Sequence, residues 1–353
     1  MTDRVLLLTP SRGLGGGIER YADTLEWAFA AQGVECLRAD LHHGRPGSRA
    51  LAHARLLSEA RRQLRASTAP TRLIAVHRAL LPIASLAAAE RAACGISVIC
   101  HGSDVWGARF PARRGVESFL MGRKGVRVVA VSGFTAGAIA RRHPATILPP
   151  GLSREWFHML VEQSACDQTP DAEVSIVTAF RLADWAAKGL PQLLDAVEAL
   201  GRPDIRVTVC GTGQPSAELH RLVARHSCCS LRPGLSDREL AVQLAAADLF
   251  VLATRTRPGR RPSGEGFGLV LLEAQVAGTP VIGPAYGGSH DAHIEGITGI
   301  TPTDETPEAL ATVIGELLKE PRKLEEMGKR AAAWAREMYA PERYASYAVA
   351  RLL

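Results

Sequence analysis

The sequence predicts an α/β protein of two domains, each a doubly wound, Rossmann-like parallel sheet with helices on both faces. Three observations lead to this prediction. The chain has 353 residues, more than one domain usually holds. Short apolar runs alternate with stretches of helical periodicity, as in repeated β-α units. The alternation stops at Pro149-Pro150-Gly151 and a polar stretch, Glu162 to Glu173, and then begins again.

Each strand is predicted from a short apolar run and each helix from apolar residues that recur every three or four positions. The first series has strands at Arg4–Thr9, Val34–Ala39, Leu73–Val76, Ser97–Cys100, Arg127–Val131 and Thr146–Leu148, and helices at Ile18–Gln32, Arg49–Ala66, Leu80–Cys94 and Gly133–Arg142. The second has strands at Val174–Ala179, Arg206–Cys210, Asp248–Leu252 and Pro280–Gly283, and helices at Pro191–Leu200, Pro215–Arg225, Asp237–Ala246 and Gly268–Ala277. From Thr306 onward the chain is predicted to be helical.

These elements predict four segments: an N-terminal domain at residues 1–160, a linker at 161–173, a second domain at 174–335, and a C-terminal helix at 336–353 that returns to the first domain. Ligands of parallel sheets bind at the carboxyl ends of the strands. We therefore expect the two domains to face each other across a ligand-binding cleft.

The composition excludes several classes of protein. With 46% hydrophobic residues the chain can bury substantial cores, and no apolar run reaches the roughly 18–20 residues of a membrane span. The first apolar run, Val5–Thr9, is too short for a signal peptide. Seven scattered cysteines fit a reduced interior, so we expect a cytoplasmic protein in which Cys228 and Cys229 are structural thiols.

The formal charge of +6 is unevenly distributed. Residues 1–150 hold 21 Lys and Arg against 10 Asp and Glu, a charge of +11, whereas residues 151–353 hold 21 against 26, a charge of −5. No basic run alternates with aromatic residues, and no helix-turn-helix or zinc-finger spacing is present. We therefore expect no nucleic-acid partner and attribute the excess of Arg over Lys to codon bias.

The most informative motif lies in EGFGLVLLEAQ, which begins at Glu265. Gly266 and Gly268 open a helix whose first amide groups can approach an anion closely. Glu273 lies roughly 12 Å further along the helix axis in apolar surroundings, where a carboxylate needs a partner. A nucleoside diphosphate-sugar fits this span, with its sugar at Glu265, its diphosphate at the helix start and its ribose at Glu273. The alternative is a buried carboxylate held by a basic neighbour.

Two cations precede this motif. Arg181 follows the first strand of the second series and Lys188 opens the next helix, so both are expected at the carboxyl edge of the sheet. The departure of a sugar leaves charge on the diphosphate, which two cations and a helix N-terminus can stabilise without a metal ion. Solvated surface residues are the alternative interpretation.

The Glu-x7-Glu motif in EGFGLVLLEAQVAGTPVI resembles the signature of the retaining nucleotide-sugar glycosyltransferases of family four, which have the GT-B fold. The resemblance extends over nearly the whole chain: Arg181 and Lys188-Gly189 resemble the pair that contacts the donor diphosphate, Val209–Gly213 a strand followed by G-x-G, and Leu231–Leu235 the loop that reads the base. It implies that Arg181, Lys188 and Glu265 act in the reaction. It also implies donor contacts from Gly211, Arg232, Gly234, Leu235, Gly266, Phe267, Gly268, Leu269 and Glu273.

The first half resembles the family's acceptor side. The turn before the first helix implies that Gly15, Gly16 and Gly17 face donor phosphate and acceptor, although such a turn alone also fits dinucleotide binding. His101 resembles the histidine that approaches the donor sugar, whereas a lone histidine is usually structural. Ser132 matches a family serine to which we assign a structural role.

Two features depart from the family pattern. The loop ATRTRPGRRPSG, between Leu252 and Glu265, is longer than usual and carries Arg255, Arg257, Arg260 and Arg261. It is either a solvated flap or a segment that covers the donor or meets an anionic acceptor. Lys188 also stands one residue further from Arg181 than in the family pattern, which bears on where its side chain points.

One predicted helix suggests contact with a membrane surface. It carries Arg49, Arg55, Arg61, Arg62 and Arg65 together with Leu51, Leu56, Leu57 and Leu64. Some members of the family use such a helix to reach lipid-linked acceptors, which would place this protein at the inner membrane face. An ordinary amphipathic helix packed on a sheet is the equally open alternative.

The sequence thus predicts a glycosyltransferase that moves a sugar from a nucleoside-diphosphate-sugar to an acceptor with retention of configuration, using neither metal nor other cofactor. The acceptor is a lipid-linked or polysaccharide glycan or a small metabolite. Rival predictions are another GT-B enzyme, such as a nucleotide-sugar epimerase or a glycosyl phosphorylase, and a non-catalytic nucleotide-sugar-binding homologue. The base, the sugar and the acceptor stay open.

Overall fold

The computed structural model describes residues 4–10, 16–42, 49–66, 68–90, 92–106, 111–164, 173–257 and 264–353. The chain divides into two compact units. Unit 1 contains the residues up to Arg154 together with Pro341–Leu353, and unit 2 contains Glu155–Arg257 and Ser263–Ala340. The second unit therefore begins at Glu155, inside the segment predicted as the first domain (1–160) and before the predicted linker (161–173).

Unit 1 is built on a six-stranded parallel sheet with the order β2-β1-β3-β4-β5-β6. Its strands are β1 (Arg4–Thr9), β2 (Glu35–Asp40), β3 (Thr71–Ala75), β4 (Ala93–Cys100), β5 (Val126–Ala130) and β6 (Thr146–Ile147). Its helices are α1 (Gly17–Ala31), α2 (Arg49–Arg65), α3 (Leu81–Ala87), α4 (Ser103–Trp106), α5 (Pro111–Met121) and α6 (Gly133–Ala140), and it includes the C-terminal α14 (Pro341–Leu352). A short 3-10 turn, Arg78–Leu80, precedes α3.

The central strand β1 explains the character of this sheet. Every residue of β1 is buried, because helices cover both faces of a doubly wound sheet. Leu6 pairs with Leu37 of β2 on one side and Leu73 of β3 on the other. Leu56 and Leu64 of α2 lie in the core beneath this sheet.

The C-terminal helix α14 packs against α1 of the same unit. Tyr344 donates a hydrogen bond from its hydroxyl to the Pro149 carbonyl (3.0 Å), and Ser97 donates to the Leu352 carbonyl (2.8 Å). The end of the described chain is thus part of the first unit's packing.

Unit 2 is built on a second six-stranded parallel sheet with the order β12-β11-β10-β7-β8-β9. Its strands are β7 (Val174–Ala179), β8 (Ile205–Gly211), β9 (Cys229–Pro233), β10 (Leu249–Val251), β11 (Val281–Ile282) and β12 (Gly299–Ile300). Its helices are α7 (Arg154–Ser164), α8 (Leu190–Ala199), α9 (Ala217–Arg225), α10 (Asp237–Ala245), α11 (Leu269–Val276), α12 (Pro307–Leu318) and α13 (Pro321–Met338). Ser236 and Glu239 form a capping box at the start of α10.

The predicted α/β class is confirmed, with local corrections. The helix predicted over Leu80–Cys94 ends at Ala87, and β4 already begins at Ala93 because its first residue pairs with Thr71 of β3. Leu231–Pro233, predicted as loop, is part of β9 and pairs with β8. The sequence prediction also missed α5 and α7. Among the described helices, none is long and apolar enough to cross a membrane.

Candidate active site

The sheet of unit 2 changes winding direction beside β7, which lies between β10 and β8. At such a switch point the connections leave in opposite directions, and the carboxyl ends of the strands open a place for a ligand. Arg181 follows β7 there, and Thr254 follows β10. The candidate site of this unit is therefore at the ends of these two strands.

Glu265 is the centre of this site. Lys188 Nζ lies 2.8 Å from Glu265 Oε2 and donates a hydrogen bond to it. Thr254 Oγ1 donates to the same carboxylate oxygen from 3.1 Å. Two chain segments far apart in sequence thus converge on one oxygen of the carboxylate that the sequence assigned to the donor sugar.

The pKa of Glu265 is lowered although burial alone would raise it. The charge of Lys188 and the hydrogen bonds from Lys188, Thr254 and the Gly266 amide together outweigh the desolvation of the carboxylate. Glu265 is accordingly ionised at neutral pH. It is suited to accept hydrogen bonds from sugar hydroxyls and unsuited to donate a proton.

The direction of the Lys188 side chain follows from a close backbone approach at Gly189. Gly189 has φ of +73°, and a Cβ built there would stand 1.9 Å from the Ala253 carbonyl oxygen. Arg255 N–H donates to the Ala187 carbonyl (2.9 Å), so the two segments run side by side. Although Lys188 is one residue further from Arg181 than in the family pattern, its ammonium group points at Glu265.

The helix that follows Glu265 begins at a second glycine with positive φ. Gly268 (φ +82°) precedes α11, and a Cβ there would stand 2.9 Å from Leu271 Cδ1. Gly266 and Leu269 are half-buried, and Phe267 is buried. The Gly288 amide donates to the Glu265 carbonyl (2.8 Å) and fixes the backbone at the start of the motif. The first amides of α11 are thus placed next to Glu265, as the sequence predicted.

The remaining predicted donor contacts lie at the ends of β7, β8 and β9. Arg181 is exposed, and its guanidinium Nε lies 3.6 Å from Asp184 Oδ2. A Cβ at Gly211 would stand 2.1 Å from the Phe180 carbonyl oxygen, so the chain beside Arg181 passes very close to β8. The Gly234 amide donates to the Gly211 carbonyl (2.9 Å). Arg232 is exposed at the end of β9, and Leu235 is half-buried beyond it.

Glu273 has a partner that the sequence did not predict. It is 5% exposed, and its Oε1 accepts a hydrogen bond from the Trp156 indole (3.0 Å), which comes from α7. This contact brings a neutral N–H donor from α7 to the carboxylate that the sequence assigned to the ribose.

Unit 1 has its own switch point, between β1 and β3, and β4 is the next strand. His101 follows β4, and its Nε2 lies 2.6 Å from the Val76 carbonyl, which assigns the ring hydrogen to Nε2. His101 stacks on His77 with ring centroids 6.0 Å apart. Burial lowers the pKa of His101 to about 4, although the nearby Asp104 carboxylate acts in the opposite direction. His101 is therefore neutral at pH 7.

The other predicted residues of unit 1 are partly described. Gly16 caps α1 and Gly17 begins it, whereas Gly15 lies outside the described residues. Ser132 accepts a hydrogen bond from the Thr135 amide (3.1 Å) and caps α6, in line with the structural role assigned to it. Arg260 and Arg261 of the long loop also lie outside the described residues. Arg255 Nε lies 3.8 Å from Glu305 Oε2.

Sequence reasoning missed several polar neighbours of the predicted residues: Thr254, Trp156, His77 and Asp104. Asp104 accepts a hydrogen bond from the His101 amide (2.9 Å) and stands in the HGSD segment, which was a usable signal. Thr254 and Trp156 gave no such signal, because their contacts depend on strand order and on α7. Within the described ranges, no cluster of three or more His, Cys, Asp or Glu side chains could hold a metal ion.

Two doubly wound units, with a cation, an ionised carboxylate and a helix N-terminus at the switch point of the second, define a class: the GT-B nucleotide-sugar enzymes. Solved structures agree with this fold. Sucrose-phosphate synthase from Thermosynechococcus elongatus superposes with a TM-score of 0.79 at 18% identity, covering 98% of each chain. Anabaena HepE in complex with UDP gives 0.72 at 17% identity, covering 99% of this chain and 100% of that one.

The chain belongs to the glycosyl transferases group 1. The model of that family matches residues 169–334. The GDP-mannose-dependent alpha-(1-6)-phosphatidylinositol monomannoside mannosyltransferase of Mycolicibacterium smegmatis is 30% identical over 275 residues, covering 72% of this chain and 68% of the relative. A D-inositol 3-phosphate glycosyltransferase of Streptomyces scabiei is 29% identical over 247 residues, covering 64% and 53%. The predicted family and nucleotide-sugar-dependent glycosyl transfer are thereby confirmed.

Proposed function

We propose that this protein transfers mannose from GDP-mannose to a hydroxyl of an inositol phosphate, free or lipid-linked, with retention of configuration. The observation that carries the proposal is the convergence of Lys188 and Thr254 on Glu265 beside the start of α11. The relatives support the substrates, since the mycobacterial one is named as GDP-mannose-dependent and the names of both contain inositol.

In the proposed reaction the bond between the anomeric carbon and the β-phosphate oxygen breaks. Arg181, Lys188 and the first amides of α11 take up the charge that develops on the diphosphate, so no metal ion is required. The acceptor oxygen bonds to the anomeric carbon on the face that the phosphate leaves, and the acceptor proton passes to a phosphate oxygen. The products are GDP and the mannosylated acceptor, and no protein nucleophile takes part.

The predicted carboxylates and the predicted residues of unit 1 also take roles in this proposal. Glu265 accepts hydrogen bonds from the sugar hydroxyls, and Glu273 holds the ribose. In unit 1 the neutral His101 and Gly16–Gly17 at the start of α1 are the groups that we assign to the acceptor hydroxyls. The excess positive charge of residues 1–150 suits an acceptor that carries phosphate.

We also propose that unit 1 contacts an anionic membrane surface, through α5 rather than α2. Leu56 and Leu64 of α2 are buried in the core, which supports the packed-helix interpretation of α2. On α5, by contrast, Val116 is 54% exposed and Phe119 73% exposed. Exposed Arg123 and Lys124 follow the helix, so apolar and basic groups stand together as in interfacial helices.

The test is a thermal-shift panel of GDP, UDP, ADP and their mannose or glucose derivatives, followed by a transfer assay. GDP-mannose is expected to raise Tm most, and mannose is expected to appear on inositol phosphate or on phosphatidylinositol in α-configuration by NMR. EDTA is expected to leave the rate unchanged. Stabilisation by UDP compounds alone would overturn the assignment of GDP-mannose as the donor. A β-linked product would overturn the proposed retention of configuration.

A further inference from the structure

Thr254 occupies an unusual place for a neutral side chain. It is 2% exposed, and its hydroxyl donates to the same oxygen of Glu265 that binds the Lys188 ammonium group. Glu265 itself is only partly exposed. The carboxylate therefore has one charged and one neutral donor on a single oxygen.

The position of Thr254 is fixed independently of Lys188's side chain. The preceding residue, Ala253, packs its carbonyl against Gly189, and the following residue, Arg255, donates its amide to the Ala187 carbonyl. Thr256 N–H donates to Glu305 Oε1 (2.5 Å). The backbone on both sides of Thr254 is thus anchored to unit 2 by its own contacts.

When a donor binds, Lys188 can interact with two anions, the Glu265 carboxylate and the donor diphosphate. In the structure it is paired with Glu265, and in the proposed reaction it also stabilises the diphosphate. A lysine side chain rotates freely at several bonds, so its ammonium group can turn towards the second anion. A carboxylate that depended on Lys188 alone would then lose its orientation at the moment when it must hold the sugar.

We propose that Thr254 is a positioning residue that keeps the Glu265 carboxylate in place while Lys188 engages the donor diphosphate. The inference rests on the proposed function and adds to it a residue that touches neither the sugar nor the phosphate. The Thr254 hydroxyl acts by orienting Glu265, and the backbone contacts of Ala253, Arg255 and Thr256 keep that hydroxyl in position.

A consequence concerns pH. A hydroxyl that donates to a carboxylate stabilises the ionised form, so its removal raises the pKa of Glu265. The form of the enzyme with protonated Glu265 then appears at higher pH. The acid limb of the kcat/KM profile therefore moves to higher pH, since one of several contacts that stabilise the ionised carboxylate is lost.

The experiment compares Thr254→Val, Thr254→Ser and the control Thr279→Val. Valine has the shape of threonine without the hydroxyl, and serine keeps the hydroxyl. Thr279 is also buried in unit 2, and its hydroxyl donates to the Leu244 carbonyl (Oγ1–O 2.5 Å), so Thr279→Val removes a buried hydroxyl away from Glu265. Kinetics with GDP-mannose across pH and a 13C NMR titration of the Glu265 carboxyl in the unliganded protein are the two measurements.

Thr254→Val is expected to lower kcat/KM for the donor about ten-fold or more, the usual effect of losing a hydrogen bond to a charged group. Thr254→Val is also expected to raise the titration midpoint of Glu265. Thr254→Ser is expected to restore the wild-type kcat/KM and the wild-type midpoint. Thr279→Val is expected to keep the wild-type pH profile of kcat/KM. A Thr254→Val profile and titration equal to those of Thr279→Val would overturn the inference, as would failure of serine to restore them. A wild-type protein that transfers no mannose overturns the proposed function instead, and the NMR titration still decides on Thr254.

Discussion

A buried carboxylate, Glu273, accepts a hydrogen bond from the Trp156 indole. This contact sets the direction of the carboxylate. In the proposed function Glu273 holds the ribose, whose two hydroxyls are hydrogen-bond donors.

Glu273→Gln tests this arrangement. The amide oxygen still accepts from Trp156, so the free energy of unfolding changes little. Affinity for GDP, measured by calorimetry, is expected to fall about 10- to 100-fold, because a hydrogen bond to a charged group contributes about 1.5–3 kcal/mol. Glu316→Gln, an exposed site on α12, serves as the control with wild-type affinity. Unchanged affinity in Glu273→Gln would refute the ribose assignment.

The residues of the candidate site differ in how far sequence could predict them. Arg181, Lys188 and Glu265 were predictable because strand ends and a charged motif mark them. The pairing of Lys188 with Glu265 was not, since the two residues are 77 positions apart and meet only because β7 and β10 are neighbours. Thr254 lacks any sequence signal, because a hydroxyl in a loop is common and its role comes from its contact alone.

At the level of secondary structure, Gly189 links the start of α8 to the segment after β10. Its positive φ and its close contact with Ala253 are two separate reasons why glycine is required at this position. Only the first reason applies to Gly201 (φ +60°), because a Cβ there would meet nothing within 4 Å. The pair therefore separates the effect of backbone conformation from that of steric contact.

Gly201→Ala is expected to lower the free energy of unfolding by about 1 kcal/mol, the cost of a side chain at positive φ, and to leave the donor KM unchanged. Gly189→Ala is expected to cost more than about 2 kcal/mol and to lower kcat/KM, because Ala253 must move away from residue 189 and thereby shifts Thr254 relative to Glu265. Denaturant unfolding and steady-state kinetics measure both. Equal effects of the two substitutions would show that the contact with Ala253 is unimportant.

The strands predicted least well are those that depend most on their neighbours. The start of β4 (ACGI) and the whole of β9 (CSLRP) have weak apolar patterns, and both become strands by pairing with β3 and β8. β1 and β7, by contrast, are apolar enough to be placed correctly from sequence alone.

The helix α5 is the element through which we propose that unit 1 contacts a membrane. Double substitution of Val116 and Phe119 by Ser is expected to reduce co-sedimentation with phosphatidylglycerol vesicles about ten-fold or more, because burying one such apolar side chain contributes about 1.5–3 kcal/mol. Leu51→Ser on α2, where one leucine is also exposed, is the matched control and keeps wild-type binding. If Leu51→Ser reduced vesicle binding as much as the double variant does, the membrane contact would be assigned to α2 instead.

For the whole molecule, the half proposed to bind the anionic donor is the half with the negative net charge. In the proposed function the donor phosphate meets Arg181 and Lys188 in the half with a charge of −5, whereas the half with a charge of +11 supplies the acceptor side. The proposal thus makes donor recognition depend on two placed cations and a helix N-terminus at short range. It makes the attraction of an anionic acceptor or vesicle depend on the summed field of the positive charges of the first half.

These two kinds of electrostatic interaction respond differently to salt. The Debye length falls from about 10 Å at 0.1 M to about 3 Å at 1 M, which screens exposed charges far more than groups in direct contact. Between these salt concentrations the calorimetric Kd for GDP is expected to rise only several-fold, whereas vesicle co-sedimentation is expected to be lost. Neutral phosphatidylcholine vesicles, which are expected to bind weakly at both concentrations, are the control. If GDP binding were lost as steeply as vesicle binding, the bulk field of the protein, and not Arg181 and Lys188, would be what recruits the donor.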